Sequence, residues 1–187
     1  MSLVNTNWLE KNLNKVKILD ASWHMPNTNR DAYKEFLSEH IENSQFFDLD
    51  KNSELNSTLP HMLPSKNKWQ EIMSSYGINN QDNIVIYDNS DIISSCRCWY
   101  MFFYFGHDDS KIFILDGGLK KWKIDNKKIT NNLISNNKAS YSAKEIKSLV
   151  FNKLQIDENI KLNNFQVIDA RGKKRFEGTE PEPRSGL

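Results

Sequence analysis

The longest apolar stretch of the chain lies near its middle and joins a strand pattern to a helix pattern. Ile84–Tyr87 is a short β-branched run, typical of a strand that is covered on both faces. Asp88–Ile93 is polar and turn-like, and Cys96–Phe105 is apolar at almost every position, which predicts a buried helix. Ser94 or Ser95 can cap that helix. Ligands of α/β sheets lie beyond the carboxyl ends of the strands, so the loop between this strand and this helix is the first place to look for chemistry.

Shorter strand and helix patterns alternate on both sides of this central unit. Strand patterns lie at Lys17–Ala21, Gln45–Asp48 and Lys111–Leu115. Helix patterns, with apolar residues at helical spacing, lie near residues 5–13, 30–38, 65–77 and 116–122. Strands that alternate with helices predict the α/β class, with a doubly wound parallel sheet flanked by helices.

Residues 124–149 interrupt this alternation, because they are rich in Asn, Lys and Ser and offer few apolar anchors. They predict an interdomain linker with marginal local structure. After it the beginning of the chain recurs: Ile18–Ala21 returns as Val167–Ala170, and each copy leads to an arginine followed by an aromatic residue. A repeat at domain-length spacing predicts a second copy of the domain. The predicted organisation is a first domain, a linker and the start of a second, incomplete copy, at residues 1–125, 126–160 and 161–187.

Composition excludes several classes of protein. The 187 residues are 38% hydrophobic and 26% charged, a globular balance, and the net charge of +1 gives no general attraction to nucleic acid or to an anionic membrane. No apolar run approaches the ~20 residues that cross a bilayer, and the polar N-terminus fits neither a signal peptide nor a transit peptide. The two cysteines make no disulfide framework and favour a reducing compartment. We therefore expect a soluble, cytoplasmic protein that binds neither nucleic acid nor membranes.

Seven short motifs stand out along the chain. They are Asp20-Ala-Ser-Trp23, Phe47-Asp-Leu-Asp50, Pro60-His-Met-Leu-Pro64, Arg97 with Trp99, Phe105-Gly-His107, Leu115-Asp-Gly-Gly-Leu119 with Trp122, and Arg175-Phe-Glu-Gly-Thr-Glu-Pro-Glu-Pro-Arg184. Together they resemble the tandem rhodanese-type sulfurtransferases, and among these most closely the ones that act on 3-mercaptopyruvate; the His-Met-Leu-Pro and Pro-Glu-Pro-Arg segments are the specific ones. The resemblance implies transfer of a sulfane sulfur from 3-mercaptopyruvate or thiosulfate to a thiol or cyanide through a cysteine persulfide, without a cofactor or a metal.

The resemblance also implies that the nucleophile lies outside this chain. In that family it is a cysteine of the second domain, in a Cys-Gly-Ser/Thr-Gly-Val type of motif, and no Cys-Gly-x-Gly stretch occurs here. The position that matches this cysteine in the first domain is Asp88, which implies a non-catalytic first copy. We therefore expect the chain to be a fragment, or a degenerate remnant, of a longer protein, and to be inactive alone.

The resemblance assigns roles to four residues. Asp50 would orient His61, and His61 would handle protons for a serine of the missing cysteine loop. Arg175 and Arg184, separated by helix breakers that predict a stiff loop, would bind the carboxylate and the adjacent carbonyl of 3-mercaptopyruvate. The residues taken alone favour plainer interpretations: a loop hydrogen bond and a turn cap for the first pair, and solvated ion pairs with neighbouring glutamates for the two arginines.

The cysteines carry no chemistry in this interpretation. Cys96 and Cys98 lie two positions apart on a helix and point to opposite sides, so they cannot share a metal or form an unstrained disulfide, and we expect both to be buried. Two functions stay open. The first is the N-terminal part of a sulfurtransferase, favoured by the four site residues. The second is a non-catalytic rhodanese-like binding or scaffold module, favoured by Asp88 at the cysteine position.

Overall fold

The computed structural model describes residues 2–180 and divides the chain into two compact units, Met1–Lys147 and Ser148–Leu187. None of the helices within residues 2–180 is long and apolar enough to span a membrane. The two units are described one after the other.

The first unit is built on a parallel sheet. The strands of this unit are β1 (Ser2–Val4), β2 (Lys17–Asp20), β3 (His40–Ile41), β4 (Ser44–Phe46), β5 (Ile84–Tyr87), β6 (Ile112–Leu115) and β7 (Ile129–Thr130). Five of them form one parallel sheet in the order β1-β6-β5-β2-β4, and β3 pairs with β7 in a separate antiparallel ribbon. The chain leaves β2 toward one edge and returns through β5 and β6 toward the other. The predicted doubly wound parallel sheet is therefore confirmed.

Helices cover both faces of this sheet. They are α1 (Thr6–Asn12), α2 (Ala32–Ser38), α3 (Lys66–Ser75), α4 (Ser95–Tyr104) and α5 (Gly118–Ile124), with short 3-10 turns at Pro26–Thr28, Asp109–Lys111 and Lys147–Leu149. Polar side chains cap two helix starts: the side chain of Asn5 accepts the Trp8 N–H at 2.8 Å, and that of Ser65 accepts the Lys68 N–H at 3.2 Å.

The core lies on the two faces of β5, all four residues of which are buried. Val85 and Tyr87 pack with residues of α1 and α5 in one cluster, so Ile84 and Ile86 point to the opposite face. Aromatic side chains of α3 and α4 pack on that second face. Trp69 is central there, because its ring stacks on Phe105 at 4.8 Å and meets Phe102 edge-on at 5.2 Å. Aromatic residues thus cover one face of α4, whereas Cys96 in its first turn is exposed, so the predicted burial of this helix is confirmed only in part.

Residues 129–146, which we call the strap, fasten onto the first unit. The strap begins with β7, and its later part donates backbone hydrogen bonds to the end of α4, from Lys144 to the Phe105 carbonyl at 2.9 Å and from Ile146 to the Tyr104 carbonyl at 2.8 Å. Tyr141 is buried on the same surface. The expected linker over residues 126–160 therefore starts with chain that has a fixed place, although the domain boundaries themselves stay predictions.

The second unit holds two helices, α6 (Lys153–Leu162) and α7 (Lys173–Phe176). Asn159 organises it, because its side chain bonds both the N–H and the carbonyl of Phe165, at 2.9 and 2.8 Å. The strand expected at Val167–Ala170 is not formed, and Ile168 is 78% exposed. A strand needs a neighbour for its backbone groups, and no described residue of this unit provides one.

Candidate active site

Three loops meet at the carboxyl end of the parallel sheet. The loop after β2 carries Trp23, the loop after β4 carries Asp50, and the loop after β5 begins at Asp88. The Trp23 N–H donates to the hydroxyl oxygens of Ser90 and Ser94, at 2.8 and 3.1 Å. This end of a doubly wound sheet is where ligand sites form, because the strand ends leave a crevice there.

Asp50 and His61, predicted as a pair, are in contact. His61 Nε2 lies 2.7 Å from Asp50 Oδ1. The indole Nε1–H of Trp23 is 3.1 Å from each oxygen of the same carboxylate, and its ring meets the His61 ring edge-on with a centroid distance of 4.9 Å. The His61 side chain is 29% exposed and that of Asp50 66% exposed, so the pair is open to an approaching molecule.

This geometry defines what the imidazole can do. A carboxylate only accepts hydrogen bonds, so the contact with Asp50 places a hydrogen on Nε2 of His61. In the neutral ring, Nδ1 then carries the lone pair and can accept a proton. An oriented imidazole whose second nitrogen can accept a proton is the arrangement of a general base.

The loop after β5 carries a carboxylate at the place where the chain turns into α4. Asp88 Oδ2 accepts the Ser95 N–H at 2.7 Å, and Oδ1 accepts the Ser90 N–H at 3.2 Å. Ser94 is the N-cap residue of α4, as expected, but its side chain makes no capping bond, because its hydroxyl donates to the Ala21 carbonyl at 2.7 Å. The capping acceptor comes from the strand end, seven residues before the helix start that it serves.

The double-glycine motif before α5 is explained by the same loop. The Asp88 carbonyl accepts the Leu119 N–H at 2.9 Å, which brings the two turns together. A Cβ at position 118 would overlap that carbonyl oxygen, and Gly118 has a φ of +55°, which side chains disfavour. The motif is therefore a tight turn with a close backbone approach.

A cleft of about 430 Å³ lies between this loop and the start of α5, and Arg30, Asp88, Cys96 and Lys120 contribute to its lining. The expectation that both cysteines are buried was wrong for Cys96, which is exposed, whereas Cys98 is fully buried. Their opposite directions on the helix place one thiol beside the cleft and the other in the core. Burial raises the pKa of both thiols, and the charge of Asp88 adds to the effect at Cys96.

Two residues around the pair could not be identified as functional from the sequence. Trp23 holds the carboxylate of Asp50, and Arg97 on α4 donates from Nη2 to the main-chain carbonyl of His61. The signals for Arg97 are its motif with Trp99 and its charge on an otherwise apolar helix, and neither indicates a contact with His61. Trp23 has no signal beyond its motif.

The predicted substrate-binding arginines are described only in part. Arg175 lies on the short helix α7 of the second unit and is half-buried. Its charge, after the stronger hydrogen bonds from Arg171, contributes to lowering the pKa of Asp169. Gly178, one of the residues that predict a stiff loop, follows this helix with a φ of +68°. Arg184 lies outside the described residues.

Comparisons with known proteins assign the chain to a family. The family described as "Rhodanese-like domain" matches residues 5–125. 3-Mercaptopyruvate sulfurtransferase of Mus musculus is 38% identical and is aligned over 100% of this chain and 65% of its own length. Thiosulfate sulfurtransferase of Bos taurus is 34% identical over 97% of this chain and 63% of its own. Thiosulfate/3-mercaptopyruvate sulfurtransferase 1, mitochondrial, of Arabidopsis thaliana is 37% identical over 99% and 54%.

Solved structures agree with these relatives. The crystal structure of SseA from Escherichia coli, described as a 3-mercaptopyruvate sulfurtransferase with the rhodanese fold, matches with a TM-score of 0.88 and 29% identity over 100% of this chain and 72% of that one. Tum1 of Saccharomyces cerevisiae matches with a TM-score of 0.85 and 28% identity, over 99% and 65%. The chain thus spans 54% to 65% of the length of these curated relatives. With a family match over most of its first unit, the chain belongs to the rhodanese family.

Proposed function

We propose that this chain is the N-terminal part of a sulfurtransferase that moves a sulfane sulfur from 3-mercaptopyruvate, or thiosulfate, to a thiol or cyanide acceptor. The observation that carries the proposal is the 2.7 Å contact between Asp50 and His61, braced by Trp23 at the carboxyl end of the sheet. The names of the relatives at 34% to 38% identity support the reaction class.

In the proposed reaction, a cysteine thiolate outside this chain attacks the sulfur of 3-mercaptopyruvate. A sulfur–sulfur bond forms, the carbon–sulfur bond breaks, and the pyruvate carbanion that leaves takes up one proton. His61 contributes by exchanging protons at Nδ1 with a serine of the cysteine loop, first as the acceptor, while Asp50 keeps the imidazole in the correct tautomer. Arg175 and Arg184 bind the carboxylate and the carbonyl of the donor through their guanidinium forks.

Neither cysteine of this chain suits the nucleophilic role. A persulfide forms from a thiolate, and burial raises the pKa of both thiols, most strongly at the fully buried Cys98. The cysteine position of the first domain is taken by Asp88, whose carboxylate caps α4. The proposed organisation is therefore a non-catalytic first domain, residues 1–125, followed after a linker by a second domain that starts near residue 161 and supplies the nucleophile.

The first test is to read the coding sequence beyond residue 187, where we expect a strand pattern followed by a Cys-Gly-x-Gly stretch. In the protein extended by that sequence, His61→Ala should lower kcat for 3-mercaptopyruvate, and Asp50→Asn should lower it less, because orienting a base contributes less than being one. Asp48→Asn, a carboxylate of the same loop that bonds Lys51, is the matched control and should leave kcat unchanged.

The arginines have a separate signature. Arg175→Lys and Arg184→Lys keep the charge but lose the bidentate fork, so KM for 3-mercaptopyruvate should rise more than kcat falls. Each replacement should cost about 1–3 kcal/mol of binding or activation free energy, the range for a charge-assisted hydrogen bond left unmade. A native kcat in the His61 variant together with a native KM in both arginine variants would reject this assignment.

The second candidate function is a non-catalytic binding or scaffold module. It is favoured by one observation, the capping carboxylate of Asp88 at the position where the family carries its cysteine in an active copy. A coding sequence that continues without any Cys-Gly-x-Gly stretch would support this function. Persulfide formation in the extended protein would exclude it.

A further inference from the structure

We propose that Arg97 is a positioning residue for His61, which it holds through the main chain in the conformation that places the imidazole between Asp50 and Trp23. The effect on turnover rests on the proposed function, whereas the effect on the position of the ring does not. The proposal is carried by the contacts of Arg97, by the backbone of His61 and by the shortage of other attachments at that point.

Arg97 is a cation in an unusual place. It lies on α4, which is otherwise apolar, and burial lowers the pKa of its guanidinium. Within residues 2–180, no carboxylate pairs with it, and its Nε is buried without a hydrogen-bond partner. Its hydrogen bond runs from Nη2 to the carbonyl oxygen of His61.

A partly buried guanidinium without a counter-ion lowers the stability of the fold. Removing a guanidinium from water without a counter-ion is unfavourable, and an apolar side chain of similar length would suit the buried part of this helix better. A buried polar group that is only partly satisfied requires an explanation beyond packing. The contact with His61 provides one, because it is the point where α4 reaches the loop that carries the imidazole.

The main chain of His61 has an unfavourable conformation, so a contact is needed to hold it there. Its φ is +55°, in the left-handed region that costs a residue with a side chain about 1–2 kcal/mol. Among the described residues, the bond from Arg97 is the one hydrogen bond made to the main chain of His61. The nearest backbone attachment within the loop is at Met62, whose carbonyl accepts the Glu54 N–H at 2.9 Å.

The consequence is a defined direction for the ring. The main-chain conformation sets where the side chain leaves the loop, and from there the imidazole reaches Asp50 at 2.7 Å and the Trp23 ring at 4.9 Å. Without Arg97, the residue would be free to return to the β region, which would carry the ring away from both partners. Arg97 thus acts through His61 and not on the substrate.

The position of the ring is measurable in the 187-residue chain by NMR. The chain has only four histidines, and spectra of His61→Gln and Trp23→Phe identify the two rings. The wild type should show nuclear Overhauser contacts between them and a ring-current shift on the His61 protons. In Arg97→Met both signals should fall by at least half, and Arg97→Lys, which keeps a charged donor, should recover part of the loss.

Internal and matched controls separate this effect from a general disturbance. The stacked pairs Phe36–His40 and His107–Tyr141 should keep their contacts in every variant. Trp99→Phe changes another side chain of α4, which bonds the Ile112 carbonyl, and should leave the His61 signals unchanged. If Arg97→Met does not fold, the same measurements are made on Arg97→Gln, which has a shorter, neutral donor. The contacts between the His61 and Trp23 rings should fall in this variant too.

Turnover in the extended protein distinguishes this proposal from the proposed function. Arg97→Met should lower kcat roughly tenfold with little change in KM, and should have no further effect in a His61→Ala background. Native ring contacts in the Arg97 variants would overturn the positioning role whatever the turnover. Lost ring contacts with native turnover would support positioning and instead overturn the part of His61 in the reaction.

Discussion

Single polar side chains at the strand ends hold the candidate site together by bonding backbone groups. The Asp20 carboxylate accepts the N–H of Ser22 at 2.9 Å and also its hydroxyl, and the Ser94 hydroxyl binds the Ala21 carbonyl. Asp88 does the same for the start of α4. Each bond satisfies a group that would otherwise be buried without a partner, so the loops can lie close to the sheet without a large energetic cost.

Asp20 makes stability depend on pH. Burial raises its pKa from 3.8 to about 6, in spite of the hydrogen bonds from Ser22. The folded protein therefore holds this proton more tightly than the unfolded chain, and the stability so gained at low pH is lost as the pH rises through about 6. Relative to Asp20→Asn, the wild type should lose up to about 3 kcal/mol of unfolding free energy between pH 4 and pH 7. Urea unfolding across this range measures the difference.

The control for this titration is Asp125, a carboxylate whose pKa is lowered by its surroundings instead of raised. Hydrogen bonds from Lys121 and Thr6 lower the pKa of Asp125, so its contribution is present above the unfolded pKa and is lost on acidification. Asp125→Asn should therefore show no loss by the wild type between pH 4 and pH 7. A pH-independent difference between the wild type and Asp20→Asn would contradict the assignment.

The sequence could indicate which residues of the site matter, but not how they are held. Asp50 and His61 were identified through their motif, and the structure places them in contact, although their catalytic roles stay predictions. The bracing by Trp23 and Arg97 was not predicted, because it depends on loops that meet only in the folded sheet. The exposure of Cys96 was missed for a related reason: an apolar helix is not buried on every side at its first turn.

At the scale of elements, the local sequence pattern predicted a strand correctly where the segment's own residues favour that conformation. β5 was predicted at its observed bounds, since a β-branched apolar run of four residues between polar segments is too short for a helix and favours a strand. β1 and the ribbon of β3 and β7 were missed, because two or three residues acquire strand structure only by pairing with a distant partner. The strap was missed for the same reason, as most of its bonds are made by backbone groups.

Tyr141 is the side chain through which the strap should stabilise the first unit. It is 6% exposed, its ring stacks on that of His107, and its hydroxyl lies 3.2 Å from Nδ1 of that histidine. Tyr141→Ala should lower the free energy of unfolding by about 3 kcal/mol, from the lost burial and the unpaired imidazole nitrogen. Thermal and urea unfolding measure this loss. Ser140→Ala, at an exposed neighbouring position, should change stability by less than about 0.5 kcal/mol.

At the scale of the whole molecule, we expect the two thiols to differ in accessibility and neither to accept a sulfur atom from a donor. A thiol reagent should modify Cys96 in the native chain and reach Cys98 only after unfolding, because the second thiol is fully buried. The native chain should produce no thiocyanate from cyanide and 3-mercaptopyruvate or thiosulfate, since a raised pKa disfavours the thiolate at both positions.

Mass spectrometry after incubation with either sulfur donor gives the direct measurement. The expected mass is that of the unmodified chain. A persulfide that disappears in Cys96→Ser or in Cys98→Ser would show that this chain has a nucleophile of its own, and the proposed division of labour between the two domains would fail.

The strap also bears on how the protein is made. The family match ends at residue 125, but the last backbone bond that fastens the strap to α4 comes from Ile146. A chain that emerges from the ribosome in sequence order must therefore be extended by roughly 20 residues after its sheet and helices are complete, which takes about 1 to 4 s at ordinary rates of synthesis. During that interval the end of α4 and the His107 ring on which Tyr141 stacks are not covered by the strap, so a nascent first domain offers an apolar surface to chaperones that the finished unit does not.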